Sequence, residues 1–135
     1  MGRFGPERRL RQRSQFRDAQ RLGKKLVRRH FILLVYAREA SLAGPARLGL
    51  VVSKKVGNAV CRNRTKRVIR EAFRQSTELW PLDMDCVVIA RPSCAELGSD
   101  AVLAEFHALK QALGRCVEQA KQDREIRQSR LAVSG

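Results

Sequence analysis

Residues 48–74 read LGLVVSKKVGNAVCRNRTKRVIREAFR, and this stretch sets the fold class. Leu48-Gly49-Leu50-Val51-Val52 is a short apolar run of strand length and composition. Gly49 within it allows another element to approach closely. Lys54 and Lys55 follow, and Val56-Gly57-Asn58 forms a turn. From Ala59 the apolar positions recur at helical spacing, which predicts a long helix over residues 59–79, stopped by Pro81.

Upstream, residues 10–22 read as a short helix closed by Gly23, with Phe16 the large apolar residue in its middle. His30-Phe31-Ile32-Leu33-Leu34-Val35-Tyr36-Ala37 is a strand with both faces covered, and residues 38–47 are a loop holding Ser41, Gly44 and Pro45. The strand at residues 48–52 is expected to lie antiparallel to this one. Downstream, Cys86-Val87-Val88-Ile89-Ala90 is a third core strand. Ser99 is the expected N-cap of a last helix with the apolar stripe Val102, Phe106, Leu109, Leu113, Cys116, Val117 and Ala120. The order of helix, strands, helix, strand and helix is that of an α+β fold, a single two-layer α/β sandwich. Residues 1–9 are expected to be a basic disordered tail, residues 10–120 one domain, and residues 121–135 a polar tail that frays.

Composition narrows the function. The 135 residues hold 28 Lys and Arg against 13 Asp and Glu, a net charge of +15. Self-repulsion on that scale fits a chain that meets a polyanion. An anionic membrane surface is disfavoured, because no long basic helix carries Trp or Phe on its apolar face. No stretch approaches the roughly 20 apolar residues of a membrane helix, and the Arg-rich start lacks an apolar signal region. Cys61, Cys86, Cys94 and Cys116 form no CxxC pair, and His30 and His107 stand at no ligand spacing from them. They read as buried free thiols of a reducing cytoplasm, with no metal site.

The central helix carries the strongest functional signal. Arg62, Lys66, Arg70 and Arg74 form an i, i+4 ladder, with Asn63 and Arg67 in the same sector and Arg64 on the flank. At about 100° per residue the ladder is expected opposite an apolar stripe of Cys61, Val68, Ala72 and Leu79. Like charges at i, i+4 destabilise a helix unless something offsets them. A solvated face mixes Glu with Lys, whereas here Glu71 is the one acid among residues 62–74. Arg-rich stripes suit bidentate contact with phosphate. Lys54, Lys55 and the helix start at Asn58 add a further place for anions.

On these residues the chain resembles the bacterial ribonuclease P protein subunit. The resemblance centres on Arg62-Asn63-Arg64 with Lys66, Arg67 and Arg70 behind it. It extends through Leu10, Phe16, Gly23, Arg29 and Phe31 upstream and residues 87–91 downstream. It implies the order α-β-β-β-α-β-α, with an additional short strand near residues 25–27 and a small mixed sheet with a left-handed βαβ crossover. It also implies that the 62–70 region faces a large catalytic RNA. A cleft between the first helix and the sheet would hold the single-stranded 5′ leader of precursor tRNA, lined by Phe16, Ile32 and Leu34 with Arg17 nearby. Gln20 and Leu34 stand where the family commonly has aromatics, and Thr65 where aliphatic residues are common.

No protein active site is expected. The carboxylates are scattered rather than clustered as a metal-dependent nuclease requires, and His30 and His107 fall on different elements. The resemblance implies that the RNA subunit carries the chemistry, with magnesium serving the RNA and no cofactor held by protein side chains. An alternative class is a ribosome-associated or general RNA-binding protein without an enzymatic complex. Sequence-specific DNA binding by a helix-turn-helix is disfavoured, because a strand separates the helices.

Overall fold

A computed structural model describes residues 9, 10 and 12–134. Four strands, β1 (Lys24–Val27), β2 (Phe31–Ala37), β3 (Arg47–Val51) and β4 (Met84–Ala90), form one mixed sheet in the order β1-β2-β4-β3. The helices are α1 (Arg13–Leu22), α2 (Ala59–Gln75), α3 (Ser99–Ala108) and α4 (Lys110–Ser134). The mixed α+β architecture expected from the sequence is present, including the short strand β1 paired antiparallel with β2.

One strand pairing differs from expectation. Strand β3 does not pair with β2. It lies parallel to β4, with Gly49 opposite Val87, and β4 runs antiparallel to β2 between them. The reason is burial: six of the seven residues of β4 are buried, so it takes an interior place with a neighbour on each side. Joining parallel β3 and β4 requires a long connection, and α2 supplies it.

Side chains alternate across the sheet and build two clusters. On one face Phe31, Leu33 and Val35 of β2 and Cys86 and Val88 of β4 pack with Ile69 and Phe73 of α2, Phe106 of α3 and Leu113 of α4. Phe106 meets Phe31 edge-on at 5.4 Å between ring centroids, and Trp80 stacks on Phe73 at 4.8 Å. The other face is thinner: Leu34, Tyr36 and Val87 pack with Leu10 and Ala19, and Phe16 adjoins them.

Several element ends move. Helix α1 starts at Arg13, and Leu10 instead lies beside β3, donating from its N–H to Leu48 O at 2.9 Å. Helix α2 ends at Gln75 rather than residue 79. Ser76 leaves helical geometry there, and its hydroxyl donates to Ala72 O while accepting from Trp80 Nε1 at 3.0 Å. Gly98, not Ser99, occupies the N-cap position of α3. The last helix divides at Leu109, and its second part continues to Ser134 where a fraying tail was expected. Arg124 and Arg127 hold that extension by donating to Arg38 O and Ala37 O at 3.3 and 2.8 Å. Of the expected N-terminal tail, residues 1–8 lie outside the described residues, and Arg9 bridges to Leu48.

Candidate nucleic-acid interface

Helix α2 is positioned by its start. Asn58 caps it, its side-chain Oδ1 accepting from Cys61 N–H at 2.9 Å. Gly57 before it has φ +155°, and a Cβ there would meet Cys61 Sγ at 2.8 Å, so the turn requires glycine. Lys54 and Lys55 are exposed on this turn, beside the helix N-terminus.

The buried side of α2 is Thr65, Ile69, Ala72 and Phe73. Phe73 and Thr65 shift that side relative to the stripe expected from the sequence, and Cys61 and Val68 become its half-buried edge. The Thr65 hydroxyl is accommodated by donating to Cys61 O at 3.0 Å. The cation ladder consequently does not stand opposite the buried stripe. Arg62, Lys66 and Arg70 are half-buried along one flank, while Asn63 and Arg67 occupy the exposed crest.

The rungs differ in what they are free to do. Arg74 is paired with Glu71, which also accepts from Gln75 at 2.7 Å. The Arg74 hydrogen bond holds the Glu71 carboxyl below its ordinary value, and the same contact raises Arg74. Arg64 donates to Ala95 O at 3.0 Å and so also braces the segment after β4. Arg62 Nε is buried with no hydrogen-bond partner among the described residues. Arg127 Nε of α4 shares that condition.

Lys66 and Arg70 open into a recess of about 290 Å³, which they share with Arg9, Leu10, Phe16 and the β3 residues Leu48 and Leu50. Burial lowers the Arg70 guanidinium from its ordinary value, and the charge of Arg9 lowers it further. Among the described residues three cations and no carboxylate line this recess, so its electrostatics favour phosphate. Phe16 reaches it by lying across Gly49, where a Cβ would come within 2.6 Å of the ring. A second recess, of about 330 Å³, lies at the other side of α1 and is lined by Asp18, Glu39 and Asp85 among others. Arg38 and Arg47 line it as well and pair with Asp85.

The profile of the family described as Ribonuclease P matches residues 4–114 of this sequence. The chain belongs to the ribonuclease P protein family. It is 39% identical over 107 residues to the ribonuclease P protein component of Shouchella clausii, an alignment covering 78% of this chain and 86% of that protein. A second relative, from Brevibacillus brevis, is 38% identical over 105 residues, covering 77% and 82%. The ribonuclease P protein structure from Thermotoga maritima aligns with TM-score 0.66 and 32% identity over 77% of this chain and 96% of that one. That from Staphylococcus aureus aligns with TM-score 0.59 and 29% identity over 84% and 95%.

The structure gathers the residues singled out by sequence unevenly. Phe16, Lys66 and Arg70 meet in one recess. Ile32 is half-buried on the α1 face of the sheet, beside Val51 and Ile89. Leu34 is buried in the cluster with Leu10 and Ala19, 5% exposed, and neither it nor Ile32 lines the recess, whose sheet residues are Leu48 and Leu50. Arg17 is exposed, on the helix side away from Ala19. Sequence reasoning missed Arg9 and Arg70 facing one another, because that contact depends on residue 9 pairing with β3. It also missed the ion network of Asp85, whose carboxylate accepts from Arg38 at 2.9 Å and from Arg47 at 2.7 and 2.8 Å.

Proposed function

We propose that this ribonuclease P protein grips two RNAs with adjoining surfaces and thereby aids removal of the 5′ leader from precursor tRNA. The crest and start of α2, with Lys54, Lys55, Arg62, Asn63 and Arg67, meet the catalytic RNA. The recess under Phe16 receives the single-stranded leader, with Lys66 and Arg70 against its phosphates and the ring against a base. A base on an aromatic face is held without regard to sequence, as a leader of varying sequence requires. The observation that carries this reading is the recess that joins Phe16 to Arg9, Lys66 and Arg70 with no carboxylate among the described residues.

In this arrangement the chain moves no proton and breaks no bond. Hydrolysis of the phosphodiester falls to the RNA subunit with magnesium, and the protein's cations screen the repulsion between two polyanions brought together. The site of action is the cytoplasm, and no helix among the described residues is long and apolar enough to cross a membrane.

Phe16→Ala tests the reading. Stacking of a base on an aromatic is worth roughly 1–3 kcal/mol, so holoenzyme affinity for precursor tRNA should fall by about tenfold or more. The loss is expected with leaders long enough to reach the recess and absent with mature tRNA or a leader of one or two nucleotides. Equal loss at every leader length would show that Phe16 serves only packing on Gly49.

A further inference from the structure

The recess of about 330 Å³ at the other side of α1 falls in the range of about 300–1,000 Å³ that holds small ligands. Most of its polar groups are already spent on the fold. Arg38 and Asp85, each 2% exposed, are buried against one another, and Arg47 takes both oxygens of Asp85. Gln15 accepts from the Gln12 N–H at the start of α1, and Glu39 pairs with Arg127 at 3.5 Å. Two groups are left over. Asp18 is half-buried and has neither an ion pair nor a hydrogen bond among the described residues. Tyr36 is 9% exposed, and its hydroxyl makes no hydrogen bond among the described residues either.

Folding alone gives no reason for this pair. An unpaired carboxylate stands out in a chain of net charge +15. A buried hydroxyl without a partner leaves its desolvation uncompensated. The two groups share one environment. Burial raises the Tyr36 hydroxyl, Arg127 lowers it, and the charges of Glu39, Asp18 and Asp85 raise it again. Arg127 lies over the Tyr36 ring at 4.7 Å and fixes its plane. A ligand that donates to Asp18 and accepts from Tyr36 would satisfy both.

The lining selects among ligands. Its carboxylates Asp18, Glu39 and Asp85 stand against Arg38 and Arg47, with Arg127 on Glu39, so a cation gains little and an anion meets Asp18. A neutral ligand with adjacent N–H donors is favoured. The guanine base has that edge: N1–H and the N2 amino group donate side by side to one carboxylate, and O6 beside them accepts from a hydroxyl. Leu42, 58% exposed, adds apolar surface for a flat ring. We propose that this recess binds a free guanine nucleoside, with Asp18 on its N1–H and N2–H groups and the Tyr36 hydroxyl on O6. Among the described residues the lining includes none of α2, and its arginines are paired with Asp85, so no cation is set there to grip an RNA strand. The site is separate from the α2 and Phe16 surfaces and depends on neither.

The full chain is titrated by equilibrium dialysis with guanosine, adenosine, agmatine and xanthosine. Guanosine should bind saturably, and adenosine, which lacks the paired donors, should bind about tenfold or more weakly. Asp18→Asn exchanges one acceptor of the carboxylate for an amide donor. Xanthosine carries a carbonyl where guanosine carries its N2 amino group. The variant should therefore lose about tenfold or more in affinity for guanosine and bind xanthosine more tightly than guanosine. Tyr36→Phe keeps the ring under Arg127 and should cost about threefold or more. Absent guanosine binding, equal binding of adenosine, or tighter binding of agmatine overturns the proposal. Binding of a short single-stranded RNA with one guanine, dependent on Asp18 while guanosine does not bind, gives the recess to RNA and overturns it too. If circular dichroism shows Asp18→Asn unfolded, Tyr36→Phe decides, and unchanged guanosine affinity there overturns the proposal equally.

Discussion

Helix α2 and the second half of helix α4 are both rich in cations, yet part of the α2 set is left open where the α4 arginines Arg124 and Arg127 are tied to the sheet. In α4, Arg127 donates to Ala37 O at 2.8 Å, lies 4.7 Å over the Tyr36 ring and pairs with Glu39 at 3.5 Å. Arg124 donates to Arg38 O, and Asp123 of the same turn pairs with Lys24 at 2.7 Å. These cations are consumed by the fold. In α2, Arg67 is exposed, and Lys66 and Arg70 face a recess without carboxylates among the described residues, while one buried Nε without a hydrogen bond occurs in each helix, on Arg62 and on Arg127. Charge count does not tell the two helices apart. What separates Arg127 and Arg124 from Lys66, Arg67 and Arg70 is whether the cation is tied to backbone carbonyls of the sheet or left facing an open surface.

The extreme of a satisfied cation is Arg38, 2% exposed, which donates to Leu42 O, Met84 O, Pro45 O and Asp85. Removing Asp85 leaves that charge buried and unneutralised. Breaking a buried pair from one side costs about 3–5 kcal/mol. Asp85→Ala should therefore lower the urea-unfolding free energy by that amount, the largest effect of any single change considered. Affinity for RNA per folded molecule should stay near wild type. A variant of normal stability would show that the network of Arg38, Arg47 and Asp85 contributes nothing net, and the division between satisfied and open cations would lose its clearest member.

Arg127→Ala and Arg67→Ala form the direct comparison. Loss of the Arg127 hydrogen bond and ring contact should cost about 1–2 kcal/mol of stability while leaving the salt slope of catalytic-RNA binding unchanged. Arg67→Ala should do the reverse, with stability within about 0.5 kcal/mol of wild type and a salt slope lower by about 1. The pair is measured by thermal unfolding and by RNA titration across salt. If Arg127 proves to move RNA affinity as strongly as Arg67, a guanidinium tied to the sheet still reaches RNA, and the comparison fails.

How much of this was legible in the sequence follows the range of each signal. Local signals were read well: Asn58 and Gly57 at the start of α2, the core strands, and Gly49 as a place of close approach. Signals that depend on which strand neighbours which were not. The antiparallel pairing expected of β3 rested on chain proximity, and it failed because β4 inserts between β2 and β3. Apolar periodicity alone left Phe73 off the buried stripe, and it rotated the ladder away from its true flank. The polar look of residues 121–135 suggested a tail, since the acceptors that hold Arg124 and Arg127 are carbonyls at the end of β2, invisible in sequence. The resemblance put Phe16 in a cleft between the first helix and the sheet; the structure lays its ring across Gly49 of β3, in a recess shared with Lys66 and Arg70.

The finest test of the comparison uses the thiols as reporters, because one lies on α2 and the others behind it. Cys61 is half-buried on the edge of α2, whereas Cys86, Cys94 and Cys116 are buried. Burial pushes the Cys94 thiol up to about 11 and raises Cys86 further still. A buried thiol that stays protonated is a poor nucleophile. With a small alkylating reagent near neutral pH, Cys61 should therefore label first, giving one adduct by mass spectrometry. The other three should follow only at the rate of unfolding. Bound catalytic RNA should slow Cys61 if it covers α2 and leave the slow three unchanged. The sign of the pH effect follows from the raised values. Between the ordinary 9.0 and about 11, the unfolded chain releases the Cys94 proton while the folded chain retains it. Stability should fall as pH rises through that window and be unaffected by these thiols below it. Rapid labelling of Cys94 in the folded protein would contradict its placement in the core. Unchanged Cys61 labelling with the RNA bound would mean that the RNA leaves the Cys61 edge of α2 open.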